Sequence, residues 1–260
     1  MIFVRRSNAI FTLAALIIAS LVLTTGAEAR VFDFKNERFA MYFGGSFGTS
    51  NASAGAFALA APSDVVYDKQ VSTSATGEFG MLFSGTRFNL RLGAEYLMPR
   101  DQVGVNATDA NKTQLFSLTS KVSALVPIAT LEFMPYRGAL SRAVIGGGFG
   151  WALVSLSNEY TMTSAGQTRF GVGNYKETGT GSASLFEGYA GWEFLFTDTT
   201  TATINAGYRY CQVRTLTSSQ NTNAIAGQQK ENQEILNADD SHRSMDRGGA
   251  FIGINFRFYL

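Results

Sequence analysis

Phe88-Asn89-Leu90-Arg91-Leu92-Gly93-Ala94-Glu95-Tyr96-Leu97-Met98, followed by Pro99, alternates without a break: Phe88, Leu90, Leu92, Ala94, Tyr96 and Met98 share one face, and Asn89, Arg91, Gly93, Glu95 and Leu97 the other. A period of two marks a β-strand with two unlike faces. Pro99, which has no amide hydrogen for a strand ladder, stops it.

The same pattern recurs on both sides of this segment. Gly77–Thr86 sets Phe79, Met81 and Phe83 opposite Glu78, Gly80, Leu82 and Ser84 and leads through a tight turn at Ser84–Arg87. Arg38–Ser50 sets Phe39, Met41, Phe43 and Phe47 opposite Ala40, Tyr42, Gly44, Ser46 and Gly48. A fourth strand begins near Leu115, with Phe116, Leu118 and Val122 opposite Ser117, Thr119, Lys121 and Ser123. Continuing its parity past Pro127 would put Glu132 on the apolar face, so either a bulge resets the register there or the strand ends. After a connection from Pro135 to Arg142, a fifth strand groups Ile145, Phe149, Trp151 and Leu153. The sixth separates Phe186, Trp192, Phe194 and Phe196 from Glu187, Tyr189 and Glu193, the seventh Ile204, Tyr208 and Tyr210 from Asn205, Arg209 and Cys211, and the eighth Ile252, Ile254, Phe256 and Phe258 from Gly253, Asn255 and Arg257.

Eight strands with short connections after the second and sixth, and long polar connections at about 51–75, 100–114, 157–180 and 216–247, predict an all-β fold. The unequal ends describe an eight-stranded antiparallel up-and-down transmembrane β-barrel with its long loops outside. Composition decides which face looks outward. The aromatic face carries bulky residues on every strand, and the other is mostly Gly, Ala, Ser, Thr and Asn, which suits the narrow interior of an eight-stranded barrel. The small face also holds Glu78, Glu95, Glu187 and Glu193 with Arg91, Lys121, Arg209 and Arg257. Four acids and four bases form a matched set, as a closed interior requires, because an unpaired buried charge is costly. Tyr42, Tyr96, Trp151, Trp192, Tyr210 and Tyr259, near strand ends, would form the interfacial girdles.

Of the 260 residues 16% are charged, against about 25–35% on an ordinary soluble surface. The net charge of +1 with scattered bases gives no face for nucleic acid. Arg5 and Arg6, the apolar run Ala9–Leu23 and Ala27-Glu28-Ala29 read as a signal peptide over 1–29, leaving 30–260 as the barrel. Removing it takes away two bases and one acid and leaves the two kinds equal in number. Cys211 has no second cysteine to pair with, and His242, the only histidine, excludes a histidine-pair metal site. His242 lies beside Ser241 in the long last connection, and no catalytic, cofactor or metal site is assigned. Asp239, Asp240 and Asp246 match no calcium loop, Gly146–Gly148 lacks the lysine and helix of a phosphate loop, and Gln228–Asn237 reads as either a short helix or a disordered segment.

The segment Gly253-Ile254-Asn255-Phe256-Arg257-Phe258-Tyr259-Leu260 resembles the last strand of the small eight-stranded outer-membrane barrels of Gram-negative bacteria, the OmpA/OmpX-type and OmpW-type families, and Pro135-Tyr136 with Ile145–Trp151 looks like their fifth-strand entry. The resemblance implies the outer membrane as location, its lipid as surroundings and recognition by the insertion machinery through Gly253, Phe256 and Phe258. Leu260 stands where a final Phe is common. The expected role is structural or adhesive. The alternatives are a narrow channel for small or apolar solutes, for which Gly-rich inner faces of the first and fifth strands would leave room, and a soluble periplasmic lipocalin-like binder.

Overall fold

The computed structural model describes residues 32–49, 54–69, 73–97 and 102–260; the segment 1–29 read as a signal peptide lies outside them. Eight long strands carry the fold: β1 Phe39–Thr49, β2 Thr73–Ser84, β3 Phe88–Leu97, β4 Gln114–Arg137, β5 Ser141–Met162, β6 Tyr175–Leu195, β7 Thr200–Val213 and β8 Gly249–Tyr259. Each pairs antiparallel with the next. β8 then pairs with β1, Met41 opposite Phe258 and Phe43 opposite Phe256, closing the ring. Closure leaves no free edge on the turn-end half of the barrel wall, the condition under which a sheet can stand in lipid. Among the described residues no helix is long and apolar enough to cross a membrane.

One end carries tight turns at 85–87, 138–140 and 196–199, held by bonds such as Gly85 N to Phe88 O at 2.7 Å and Gly138 N to Ser141 O at 2.8 Å. The expected Pro135–Arg142 connection is therefore mostly strand. The other end is elaborate. Gln102–Thr108 pairs with β4 and with Val66–Tyr67, helix α1 (Ser164–Phe170) joins β5 to β6, and 214–248 holds short strands at Thr217–Ser218, Thr222–Ala224, Gly227–Gln229 and Met245–Asp246. Gln228–Asn237 contains no helix.

β4 corrects the reading at Pro127. The strand runs unbroken from Gln114 to Arg137, and its register against β5 is the same on both sides of the proline, Leu125 opposite Leu153 and Ile128 opposite Gly150. Pro127 faces outward and forfeits a ladder bond without shifting the parity; the irregularity comes later, between Phe133 and Tyr136. Even-numbered residues from Phe116 to Met134 therefore all face the interior, Glu132 included.

On the turn-end half, the outer wall is apolar on every strand: Phe43, Phe79, Leu90, Leu131, Phe149, Phe186, Ile204 and Ile254 are each more than 40% exposed. Along β4 to β7 both faces then change character. Outward side chains become Ser123, Ser155, Thr180 and Gln212, and inward ones become Val126, Val154, Leu156 and Val213. Ser123 lies opposite Ser155 one step beyond the Leu125–Leu153 pair, so the change falls at one level on these two strands. An apolar exterior over a polar interior gives way to a polar exterior over an apolar interior.

Candidate functional site

The turn-end half of the lumen is filled by ionic side chains. Glu132 and Glu193 are fully buried and share Arg257, which donates to Glu132 at 2.5 Å and to Glu193 at 2.7 Å. Glu132 also accepts from Asn89 Nδ2 at 2.8 Å, from Tyr189 Oη at 2.7 Å and from Arg91 at 3.4 Å. Glu193 accepts from Arg142 Nε at 2.7 Å, Thr201 Oγ1 at 2.5 Å and Tyr259 Oη at 3.0 Å. Arg91 grips both Glu78 oxygens at 2.7 Å, and Tyr42 donates to Glu78 at 2.6 Å. Three carboxylates thus meet three guanidiniums. Phe34, from the segment preceding β1, lies beneath the Arg142 guanidinium at 4.4 Å and stoppers this end.

Toward the loops a second group follows. Arg209 holds Glu95 through two bonds of 2.7 and 2.6 Å and reaches Glu187 at 3.1 Å, with Phe251 under its guanidinium. The void bounded by Glu78, Arg91, Glu95, Glu187, Tyr189 and Arg209 is about 20 Å³, room for roughly one water. Among the described residues, the space beside the inner-face glycines Gly146 and Gly93 is filled by tyrosine side chains. A Cβ at Gly146 would meet the Tyr189 ring at 2.4 Å, and one at Gly93 would meet Tyr42 Oη at 2.2 Å. Glycine lets these tyrosines lie flat across the lumen.

Of the charges assigned to the interior, Glu78, Arg91, Glu95, Glu187, Glu193, Arg209 and Arg257 face the lumen, and Lys121 does not: it stands exposed on the outer wall of β4. Its neighbours Phe116, Leu118 and Val122 point inward because that stretch lies beyond the change in wall polarity. Glu132 and Arg142 complete the network and are absent from the sequence-derived set. Glu132 is the residue whose parity conflicts with a strand end at Pro127, and Arg142 falls within the expected turn. Tyr42 and Tyr259, expected in the girdles, are buried inside the barrel, whereas Tyr96, Trp151, Trp192 and Tyr210 are exposed outside. In β8, Gly253 faces the lumen, Phe258 is outward, and Phe256 and Phe258 both pack on Phe43.

Breaking a buried ion pair costs about 3–5 kcal/mol when it strands a charge. Glu78 is the most accessible carboxylate of the turn-end cluster, so Arg91→Met is expected near the lower bound, about 3 kcal/mol. The urea midpoint of the detergent-folded barrel, followed by its heat-dependent gel mobility, measures this; an unchanged midpoint would remove Arg91 from the network.

Beyond this level lies an apolar core. Leu118, Leu156, Tyr160, Leu185 and Val213 from the strands enclose Phe57, Ala60, Leu216, Ile235 and Met245 from the connections. Within it Glu177, on β6, accepts from Arg243 at 3.2 Å, Gln229 Nε2 at 2.6 Å and Asn158 Nδ2 at 3.1 Å. Asn158 and Arg243 also donate to the Ala56 carbonyl, at 2.6 and 3.3 Å. Helix α1 is capped by Thr163 Oγ1, which accepts from Gly166 N at 3.1 Å, and ends at Gly171 with φ 70°. Its Arg169 bonds Asp64 at 2.5 Å, which holds that carboxyl below its usual range. The long connections are thus a folded cap, and much of the expected 157–180 loop is strand.

His242 and Ser241 turn to different partners, His242 Nδ1 to Glu234 at 2.8 Å and Ser241 Oγ to Asp239 at 2.5 Å, both at the surface. Among the described residues no cluster of three metal-ligating side chains occurs.

No family model matches the sequence, and no curated protein matches it. The fold is similar to a major outer membrane protein from Thermus thermophilus (11% identity, 85% of this chain, 99% of that one, TM-score 0.44). It is also similar to the outer membrane protein OprG from Pseudomonas aeruginosa (13%, 87% and 98%, TM-score 0.43). A third similar structure is Ail, the attachment invasion locus protein of Yersinia pestis (12%, 85% and 99%, TM-score 0.38). The barrel assignment rests on the closed ring of strand pairs in this chain.

Proposed function

We propose that this chain is an integral outer-membrane barrel with a closed lumen, and that its folded cap carries a structural or surface-contact role outside the cell. The observation that carries the reading is the filling of the interior by the described residues: Phe34, then two layers of paired Arg and Glu, then an apolar core, with a void of about 20 Å³ between the two charged layers. The apolar outer wall on all eight strands supports lipid as its surroundings, because a soluble lipocalin-like barrel would turn that face inward. Phe256 and Phe258 on the outer side of the closing strand, with Gly253 behind them, support the reading of the C-terminal segment as the signal for the insertion machinery.

The test is conductance. Protein refolded in detergent, with folding established by a heat-dependent shift in gel mobility, is expected to leave a planar bilayer electrically silent. Reproducible, saturable openings would sink the closed-lumen reading in favour of a narrow solute channel.

A further inference from the structure

β6 and β7 separate at the level where the wall changes character. Leu185 opposite Cys211 is their last pair, and β6 regains a partner on that side only at Thr180, opposite Thr217. Gly181–Ser184 has no strand partner there. Unpaired backbone groups cost several kcal/mol each in a hydrocarbon environment, and the chain surrounds these with polar side chains. Ser182, Ser184, Gln212, Arg214 and Thr215 line a notch of about 340 Å³ that is bordered by the outward rings of Phe186 and Tyr210. Behind it Val213 and Leu216 pack against Gly181, so the notch is closed toward the lumen. Tyr210 Oη donates to Gln212 at 3.1 Å. Arg214 is exposed and makes no hydrogen bond or ion pair among the described residues.

A second feature adjoins it. On the turn side of Phe186 the outward row from Leu131 to Tyr208 lacks side chains at its two middle positions, Gly147 and Gly188. Ala129 and Gly147 floor a groove of about 420 Å³ between Leu90, Leu131, Phe149 and Phe186. Gly147 lies opposite Gly188, and a Cβ at either would meet nothing closer than 4.0 Å. Phe186 borders both, so the polar notch and the apolar groove adjoin on either side of its ring.

We propose that notch and groove together hold one membrane lipid, its headgroup phosphate on Arg214 and the Ser182 and Ser184 hydroxyls and one acyl chain passing the Phe186 ring to lie over Gly147. The inference rests on the membrane reading above. A guanidinium matches phosphate oxygens through paired N–H donors, and the unpartnered β6 backbone adds further donors. Neither feature suffices alone, since a soluble phosphate has no use for the groove and a phosphate-free lipid has none for Arg214.

Protein folded in micelles of neutral galactolipid and detergent, doped with phosphatidylglycerol, tests this by native mass spectrometry. One phosphatidylglycerol per barrel is expected to survive detergent stripping. Arg214→Gln and Gly147→Leu, each with the wild-type heat-dependent gel shift, are expected to lower that retention at least tenfold. Retention unchanged in Arg214→Gln, or galactolipid retained equally well, would overturn the proposal. Loss with Arg214→Gln but not Gly147→Leu, together with displacement by 10 mM inorganic phosphate, would also overturn it, leaving an anion site only. A protein with no gel shift that fails to float with vesicles would overturn the membrane reading, and this one with it; a folded, floating barrel that fails the Arg214 comparison overturns this one alone.

Discussion

Arg257→Met is expected to destabilise the folded barrel by about 3–5 kcal/mol, more than Arg91→Met. Arg257 is the one cation shared by the two fully buried carboxylates, Glu132 and Glu193, and it donates to both at 2.7 Å or less. Methionine preserves much of the apolar stem and removes the charge, so the layer changes from three against three to three carboxylates against two guanidiniums. Glu132 then keeps Asn89, Tyr189 and a distant Arg91, while Glu193 keeps Arg142, Thr201 and Tyr259. Neither site is open to solvent to screen the excess charge. The double variant Arg257→Met with Glu132→Gln restores the balance and is expected to recover part of the loss, because the strain lies in an uncompensated charge and not in a missing contact. Urea midpoints in detergent measure both. If the single variant melts with the wild type, the layer is not what holds the strands together; if the double variant is worse than the single, packing and not charge is responsible.

The residues of this layer show what a period of two can and cannot reveal. Alternation in Phe88–Met98 locates a strand and divides its side chains, and the same holds for β1, β2 and β6 to β8. It does not say which solvent each face meets, and on β4 that solvent changes midway. Phe116, Leu118 and Val122 have the composition of the lipid-facing wall, yet they point into the cap, which puts Lys121 on the outer wall and not in the lumen. Glu132 obeys the parity throughout. What hides it is Pro127, whose missing donor weakens one rung of the ladder without moving the register. Arg142 escapes the pattern because the turn is three residues, 138–140, where Pro135 and Gly138 suggest a longer one. The cap is beyond reach for a different reason: Glu177 and Arg243 stand 66 positions apart, and the pieces that bring them together are two- and three-residue strands with no periodic signal.

Arg243→Met is expected to open the cap while leaving the barrel closed. Glu177 is 2% exposed and Arg243 is fully buried. Burial alone would lower the Arg243 pKa, and the neighbouring Glu177 carboxylate and Tyr160 outweigh it and hold the guanidinium charged. Removing that charge leaves Glu177 among Gln229 and Asn158 in an apolar core and releases the Ala56 carbonyl and Asn237 from their guanidinium donor. The cost, again about 3–5 kcal/mol, falls on short elements: a two-residue strand at Thr217–Ser218, another at Met245–Asp246 and the single π-helical turn at Ala54–Ala58. Local stability can be lost without global unfolding where a unit has its own small core. The lumen network shares no side chain with the cap cluster, and the β-barrel ring below Leu185 and Cys211 is complete without it. Brief trypsin treatment of the variant is therefore expected to cut within 214–247, at Lys230 or Arg214, at a rate at least tenfold above wild type, while the heat-dependent gel shift of the eight-stranded core persists. Wild-type resistance would mean that the apolar contacts of Phe57, Ile235 and Met245 hold the cap unaided. Loss of the gel shift along with the cap would mean that the two cores fold as one, and that a surface role for the cap could not be separated from the barrel beneath it.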